Sequence, residues 1–220
     1  MPRKLLIRSN ELPYHVTLRV NNREKFPLPP DQIWKLISDE ALFSTWAYSV
    51  HFHAIVLMPN HIHILLTLPE FDLGKVMNIF VANLTAESHR MTGKSGRLFG
   101  GPYFWSLIRG TNYFGHALKY VYRNPVKAGL CASVADYPFS TLHGLLGRSP
   151  LHVPIFWTSL GLEANLPWSQ GEAFELLPWL DQAFTTEVDR LIGHGLTRKY
   201  FDSIKHRQSR KPYSVLEQLQ

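Results

Sequence analysis

Apolar residues recur along this chain with two different periods, and the switches between them mark out its elements. The run Tyr14-His15-Val16-Thr17-Leu18-Arg19-Val20 is rich in β-formers and predicts a first strand, closed by the polar turn Asn21-Asn22-Arg23 and a proline-rich loop over 27–30. Asp31 then stands where a helix cap is wanted, ahead of Ile33, Trp34, Ile37, Leu42 and Phe43 at roughly helical spacing. Residues 50–58 predict a second strand and residues 61–68 a third, with Pro59-Asn60 as the turn of a hairpin. From Asp72 to about Met91 the period returns to helical, with Leu73, Val76, Met77, Phe80, Val81 and Leu84 inward. A basic loop, 92–97, leads to a short aromatic strand within 98–108. Thr111 can cap a third helix that runs to about Asn124, where Pro125 ends or kinks it.

The order strand, helix, strand, strand, helix, strand, helix suggests an α+β sandwich, an antiparallel sheet with helices over one face. In the third strand Ile62, Ile64, Leu66 and Leu68 share one side, and four aliphatics in phase make a core face. His61, His63, Leu65 and Thr67 share the other, so the two imidazoles point to the less covered face, about 7 Å apart at Cα. In-phase histidines are more often structural than ligating, and the pair alone decides nothing. His51 and His53 are in phase on the preceding strand. A two-residue turn would put them on the side opposite His61 and His63, and a three-residue turn would reverse this.

On a helical wheel the third helix buries Phe114, Leu118 and Val121, while Tyr120 and Asn124, four apart, share one flank and can reach one site. Tyr122 lies on the opposite flank. Lys119, Arg123 and Lys127 repeat every four residues on the outward side, the last only if the helix continues past Pro125. Such a stripe suits either phosphate contact or simple solvation. His116 reads as a surface residue one turn before Tyr120. Tyr103, Tyr113 and Tyr122 read as packing or base-stacking residues.

Composition narrows the classes. The 220 residues hold one domain of ordinary size, with or without an appendage, and 45% hydrophobic residues suffice for a core. A formal charge of +6 favours a polyanionic partner. The single cysteine, Cys131, excludes an internal disulfide framework and any cysteine-rich zinc module. No apolar run approaches a membrane span and no signal peptide opens the chain, so a cytoplasmic protein is expected. After Ser149 the texture changes to a proline-punctuated, Trp-containing stretch, a helical pattern near 172–191, and a basic end with Arg198, Lys199, Lys205, His206, Arg207, Arg210 and Lys211. Residues 1–149 are therefore read as one domain and 150–220 as a C-terminal extension.

Met58-Pro59-Asn60-His61-Ile62-His63, followed by Tyr120-Val121-Tyr122-Arg123-Asn124-Pro125-Val126-Lys127-Ala128-Gly129-Leu130, resembles the REP-associated tyrosine transposases, within the single-tyrosine HUH transposases. His15-Val16-Thr17-Leu18-Arg19-Val20-Asn21-Asn22-Arg23 and Asp136-Tyr137-Pro138-Phe139-Ser140 add to the likeness, which spans roughly residues 12–143. The resemblance implies a ferredoxin/RRM-like sandwich with the catalytic helix near the open face. It implies Tyr120 as nucleophile, and His61, His63 and Asn124 as ligands of Mg²⁺ or Mn²⁺. Related insertion-sequence transposases usually carry Gln at the third ligand position. The implied activity is cleavage and rejoining of single-stranded DNA beside REP-type palindromic hairpins through a 5′-phosphotyrosine link, by a monomer. Arg19, Arg23, Lys94, Arg97, Arg109, Lys119, Arg123 and Lys127 are candidate DNA contacts. The sequence names no general base. Two other readings remain open: a non-cleaving hairpin-binding protein on the same fold, and a metal-dependent nuclease that forms no covalent intermediate.

Overall fold

A computed structural model describes residues 5–157, 166–167 and 169–202. Strands β1 (Tyr14–Arg19), β2 (His51–Met58), β3 (His61–Thr67) and β4 (Phe104–Ile108) alternate with helices α1 (Pro30–Tyr48) and α2 (Leu73–Thr92) in the order β1-α1-β2-β3-α2-β4. The sheet runs β2-β3-β1-β4, every neighbouring pair antiparallel. Strands β1 and β2 are thus parallel to each other, as are β3 and β4. Right-handed crossovers between such pairs place α1 and α2 on one face, where the two helices pack together. The expected α+β sandwich is the fold observed.

Helix α3 (Thr111–Lys127) lies on the other face, its Phe114 ring edge-on to His53 of β2. The chain then adds a short helix α4 (Thr141–Leu145) and a two-stranded ribbon, β5 (Phe156–Trp157) with β6 (Leu166–Pro167). Helices α5 (Gln170–Asp181) and α6 (Thr186–Gly195) follow, in place of the single helix read over 172–191. Both pack on α3, and strand β7 (Tyr200–Phe201) joins the main sheet parallel to β4. Of the basic end, Lys205, His206, Arg207, Arg210 and Lys211 lie outside the described residues. Among the described residues no helix is long and apolar enough to cross a membrane.

Local chemistry accounts for the boundaries. Asp72 caps α2 by accepting from the Gly74 and Lys75 amides. Asp31 does not cap α1. That helix starts one residue earlier, at Pro30, and Asp31 sits in its first turn, where its charge suits the helix dipole. Gly110, with φ 96°, precedes α3 in the role expected of Thr111, which is the first helical residue instead. Pro125 neither ends nor breaks α3. One intrahelical bond is lost in the last turn. The end is then closed by Gly129 at φ 69°, whose amide bonds to the Val126 carbonyl while the Leu130 amide bonds to that of Pro125.

Candidate functional site

Pro59-Asn60 forms a two-residue turn, pairing Met58 with His61 and Val56 with His63. A bulge between Phe52 and Ala54 then shifts the register, so His51 pairs with Thr67. It brings His53 to the same side as the two histidines of β3, against the face expected for a two-residue turn. His53 is fully engaged there, by the Phe156 carbonyl at 2.7 Å and the Thr67 hydroxyl at 2.8 Å. It is a packing residue some distance along the strand.

His61 and His63 point their Nε2 atoms at each other, 3.1 Å apart. Their tautomers follow from what holds the other ring nitrogens. The Asn60 amide nitrogen donates to the Arg23 carbonyl, so its Oδ1 faces His61 and accepts from Nδ1–H at 2.7 Å. His15 donates to the Leu196 backbone carbonyl, which leaves its Nε2 to accept from His63 Nδ1–H at 2.9 Å. Thr17 Oγ1 lies 3.3 Å from that same Nδ1. Both Nε2 atoms therefore carry lone pairs. Burial holds His61 neutral by lowering its pKa to about 4, and lowers that of His63 well below the ordinary value, with the fields of His15, His61 and Arg19 adding to the effect. Two opposed lone pairs repel unless a cation lies between them. With bonds of about 2.1 Å, a 3.1 Å separation subtends roughly 95° at a shared ion, near the right angle of octahedral neighbours. The donor pair fits a divalent ion.

Tyr120 comes to this pair from α3, its ring perpendicular to that of His63 with centroids 6.1 Å apart. Burial raises the phenol pKa; Lys127 and Arg19 pull it back, and Asp189 works against them. The hydroxyl lies under α6, where a Cβ on Gly193 would sit 3.2 Å from it. Asn124 follows one turn later on the same flank. Its amide nitrogen donates to the Tyr120 carbonyl at 2.8 Å, leaving Oδ1 as the end available to a ligand. It makes no hydrogen bond to either histidine. Among the described residues no cluster of three His, Cys, Asp or Glu side chains could hold a metal ion. Among the described residues a third protein ligand at this pair would be of another type, which an amide oxygen is.

The basic residues divide into two groups. Arg19, Arg23, Lys94 and Arg97 are exposed and rim the His61 end of the sheet. The backbone bonds Val20 N to Asn60 O, Asn21 N to Leu98 O and Gly100 N to Arg19 O stitch their segments together. The other group lies away from this rim or under cover. Arg109 stacks on Tyr200, 3.5 Å above its ring, at the opposite end of β4. Lys119 is not on an outward stripe: it is 4% exposed, between Trp179 at 4.7 Å and Phe184 at 4.8 Å. Arg123 donates to the Asp181 carbonyl, and Lys127 pairs with Asp189. The expected stripe is covered in part: Lys119 is buried and Arg123 half-buried against α5, while Lys127 stays exposed beside α6, and a wheel of α3 alone does not contain that packing. His116 is buried too, bonded to the Asn112 carbonyl and stacked on Phe184. Tyr122 is core.

Sequence reasoning passed over three residues as parts of the site: His15, Thr17 and Asn60. The first two are in phase on β1, but only the pairing of Thr17 with His63 shows that they meet the histidines.

No family model matches the chain. A REP-associated tyrosine transposase of Escherichia coli K12 is 36% identical over 107 residues, 48% of this chain and 61% of that protein. A curated relative from Haemophilus influenzae is 36% identical over 103 residues, 41% of this chain and 57% of its own length. The chain thus spans less than two thirds of these relatives. Among solved structures, a REP-associated tyrosine transposase bound to a REP hairpin shares the fold, with a TM-score of 0.57 at 22% identity, over 74% of this chain and 99% of that one.

Proposed function

We propose that this chain, which belongs with the REP-associated tyrosine transposases in sequence and fold, cuts and rejoins single-stranded DNA beside REP-type hairpin palindromes through a 5′-phosphotyrosine intermediate. The observation that carries the reading is the pair of opposed Nε2 lone pairs with Tyr120 beside them. His61 and His63, with the Asn124 amide oxygen, would hold Mg²⁺ or Mn²⁺; when bound, the ion polarises the scissile phosphate and stabilises charge on the departing 3′-oxygen. Asn60 and His15 fix the tautomers that keep both Nε2 atoms free for it.

Tyr120 is the nucleophile. Its oxygen bonds to phosphorus as the P–O3′ bond breaks, leaving a 3′-hydroxyl and a 5′-phosphotyrosine; the phenol proton goes to solvent. Lys127 and Arg19 favour the phenolate that burial disfavours. Attack of a 3′-hydroxyl on the phosphotyrosine reverses the step and rejoins the strand. The nucleophile lies against a histidine of its own chain, so a monomer contains the whole constellation. The exposed Arg19, Arg23, Lys94 and Arg97 receive the DNA backbone at the rim.

The test is a denaturing gel of protein, Mn²⁺ and a REP-type hairpin oligonucleotide with single-stranded flanks. Wild type gives a denaturant-resistant adduct and Tyr120→Phe gives none. Binding without an adduct in either would favour the non-cleaving reading. Cleavage without an adduct would favour the simple nuclease.

A further inference from the structure

Phe104 opens β4 and is 69% exposed, whereas the four residues after it are buried. Single exposed apolar side chains are ordinary on protein surfaces, so exposure alone decides nothing. Its position decides more. Among the described residues the other large exposed hydrophobics are Leu5, Phe43, Trp46, Phe71, Met91, Leu130 and Phe174, none of them in a strand. Phe104 stands on the sheet itself, outside the core and outside the residues packed against it.

The register fixes which face it occupies. Thr17 pairs with Phe104 on one side and with His63 on the other, so the three side chains form one row across β4, β1 and β3, on one face. Two strand spacings put Phe104 about 10 Å from His63 at Cα. The residue between them, Thr17, is short and only half-buried, and leaves a shelf. Arg19, next in phase along β1, is exposed and pairs with His61. Its charge reaches His61, His63 and Tyr120. From the metal pair towards β4 the surface therefore offers a small side chain, a guanidinium beside it, and then a bare aromatic ring.

That succession matches a nucleic-acid strand in which phosphate is gripped by charge and base is laid on a ring. We propose that Phe104 is a base-stacking platform for one unpaired nucleobase of single-stranded DNA, in the flank that crosses β1 away from the cleaved phosphate. The inference rests on the single-strand reading above and adds a subsite to it. Arg19 contacts the phosphate between the cleaved position and the stacked base, and the ring face accepts any of the four bases, so the platform sets the path of the strand rather than its sequence.

Two oligonucleotides separate the claims: a REP-type hairpin with a single-stranded flank, and the same hairpin without one. For Phe104→Ala, affinity for the flanked oligonucleotide falls about tenfold or more, the loss expected for one stacked base, while affinity for the flankless hairpin equals wild type. Phe104→Trp restores binding and Phe104→Leu does not. Scanning 2-aminopurine through the flank gives one quenched position in wild type, which brightens in Phe104→Ala. Equal binding of the flanked oligonucleotide by wild type and Phe104→Ala overturns the platform and leaves the single-strand reading intact. A wild-type protein that binds the flanked and flankless hairpins equally, or neither, overturns both.

Discussion

His15 is buried in the row behind His61 and His63, yet its hydrogen bond to His63 sets which nitrogen of that ring faces the site. Without an acceptor at this place, the buried His63 Nδ1–H keeps only the Thr17 hydroxyl oxygen at 3.3 Å, and the ring gains by moving the proton to Nε2, where His61 Nε2 can accept it at 3.1 Å. That nitrogen could then no longer bind a metal. His15→Phe is accordingly expected to weaken Mn²⁺ binding by about 10- to 100-fold, the usual range for outer-shell partners of ligating histidines. His15→Gln, whose amide oxygen can accept the same hydrogen bond, keeps affinity within a few-fold. Electron paramagnetic resonance titration of free Mn²⁺ reads both, and a His15→Phe protein that binds like wild type sinks the assignment. The histidines of β3 were legible from strand phase, and Tyr120 and Asn124 from helix phase and the motif. His15 was not, because its role depends on the pairing of β1 with β3, which no local pattern carries.

Helix α3 shows where a one-element reading stops. Its buried stripe and the shared flank of Tyr120 and Asn124 follow from its own sequence, and so does its closure at Gly129, once the Pro125 signal is weighed against a glycine four residues later. The opposite flank is decided by elements that come sixty residues downstream. Lys119 lies between the rings of Trp179 and Phe184, and burial, helped by the charge of Arg123, lowers its pKa to about 8. The two rings take the place of an anion, and they attach α5 and the turn after it to α3. Trp179→Ala should cost about 2 kcal/mol, less than truncation of a fully buried tryptophan because this ring is only partly covered. Urea unfolding measures the loss, and an amine-acylating reagent should label Lys119 faster in the variant. Unchanged stability together with unchanged labelling would mean that α5 is held by something else.

The whole molecule places four imidazoles, His15, His53, His61 and His63, on one face of the sheet, three of them buried and His61 half-buried, and burial keeps each of them neutral. Their effect on folding has a definite sign. Unfolded, each takes up a proton near its ordinary value of 6.5; folded, His15, His53 and His61 do so only at about 4. Between those values the unfolded chain binds more protons, so stability is fully present above about pH 6.5 and is lost as pH falls towards 4. His53 is the cleanest case, lying away from His61 and His63 with both ring nitrogens bonded. Its shift corresponds to about 3 kcal/mol, a sizeable part of the net stability of an ordinary domain. The urea midpoint should therefore drop steeply between pH 6.5 and pH 4.5, with more than one proton taken up on unfolding. A midpoint that stays level across that range would show the imidazoles reached by water in the folded protein and protonated there as readily as in the unfolded chain.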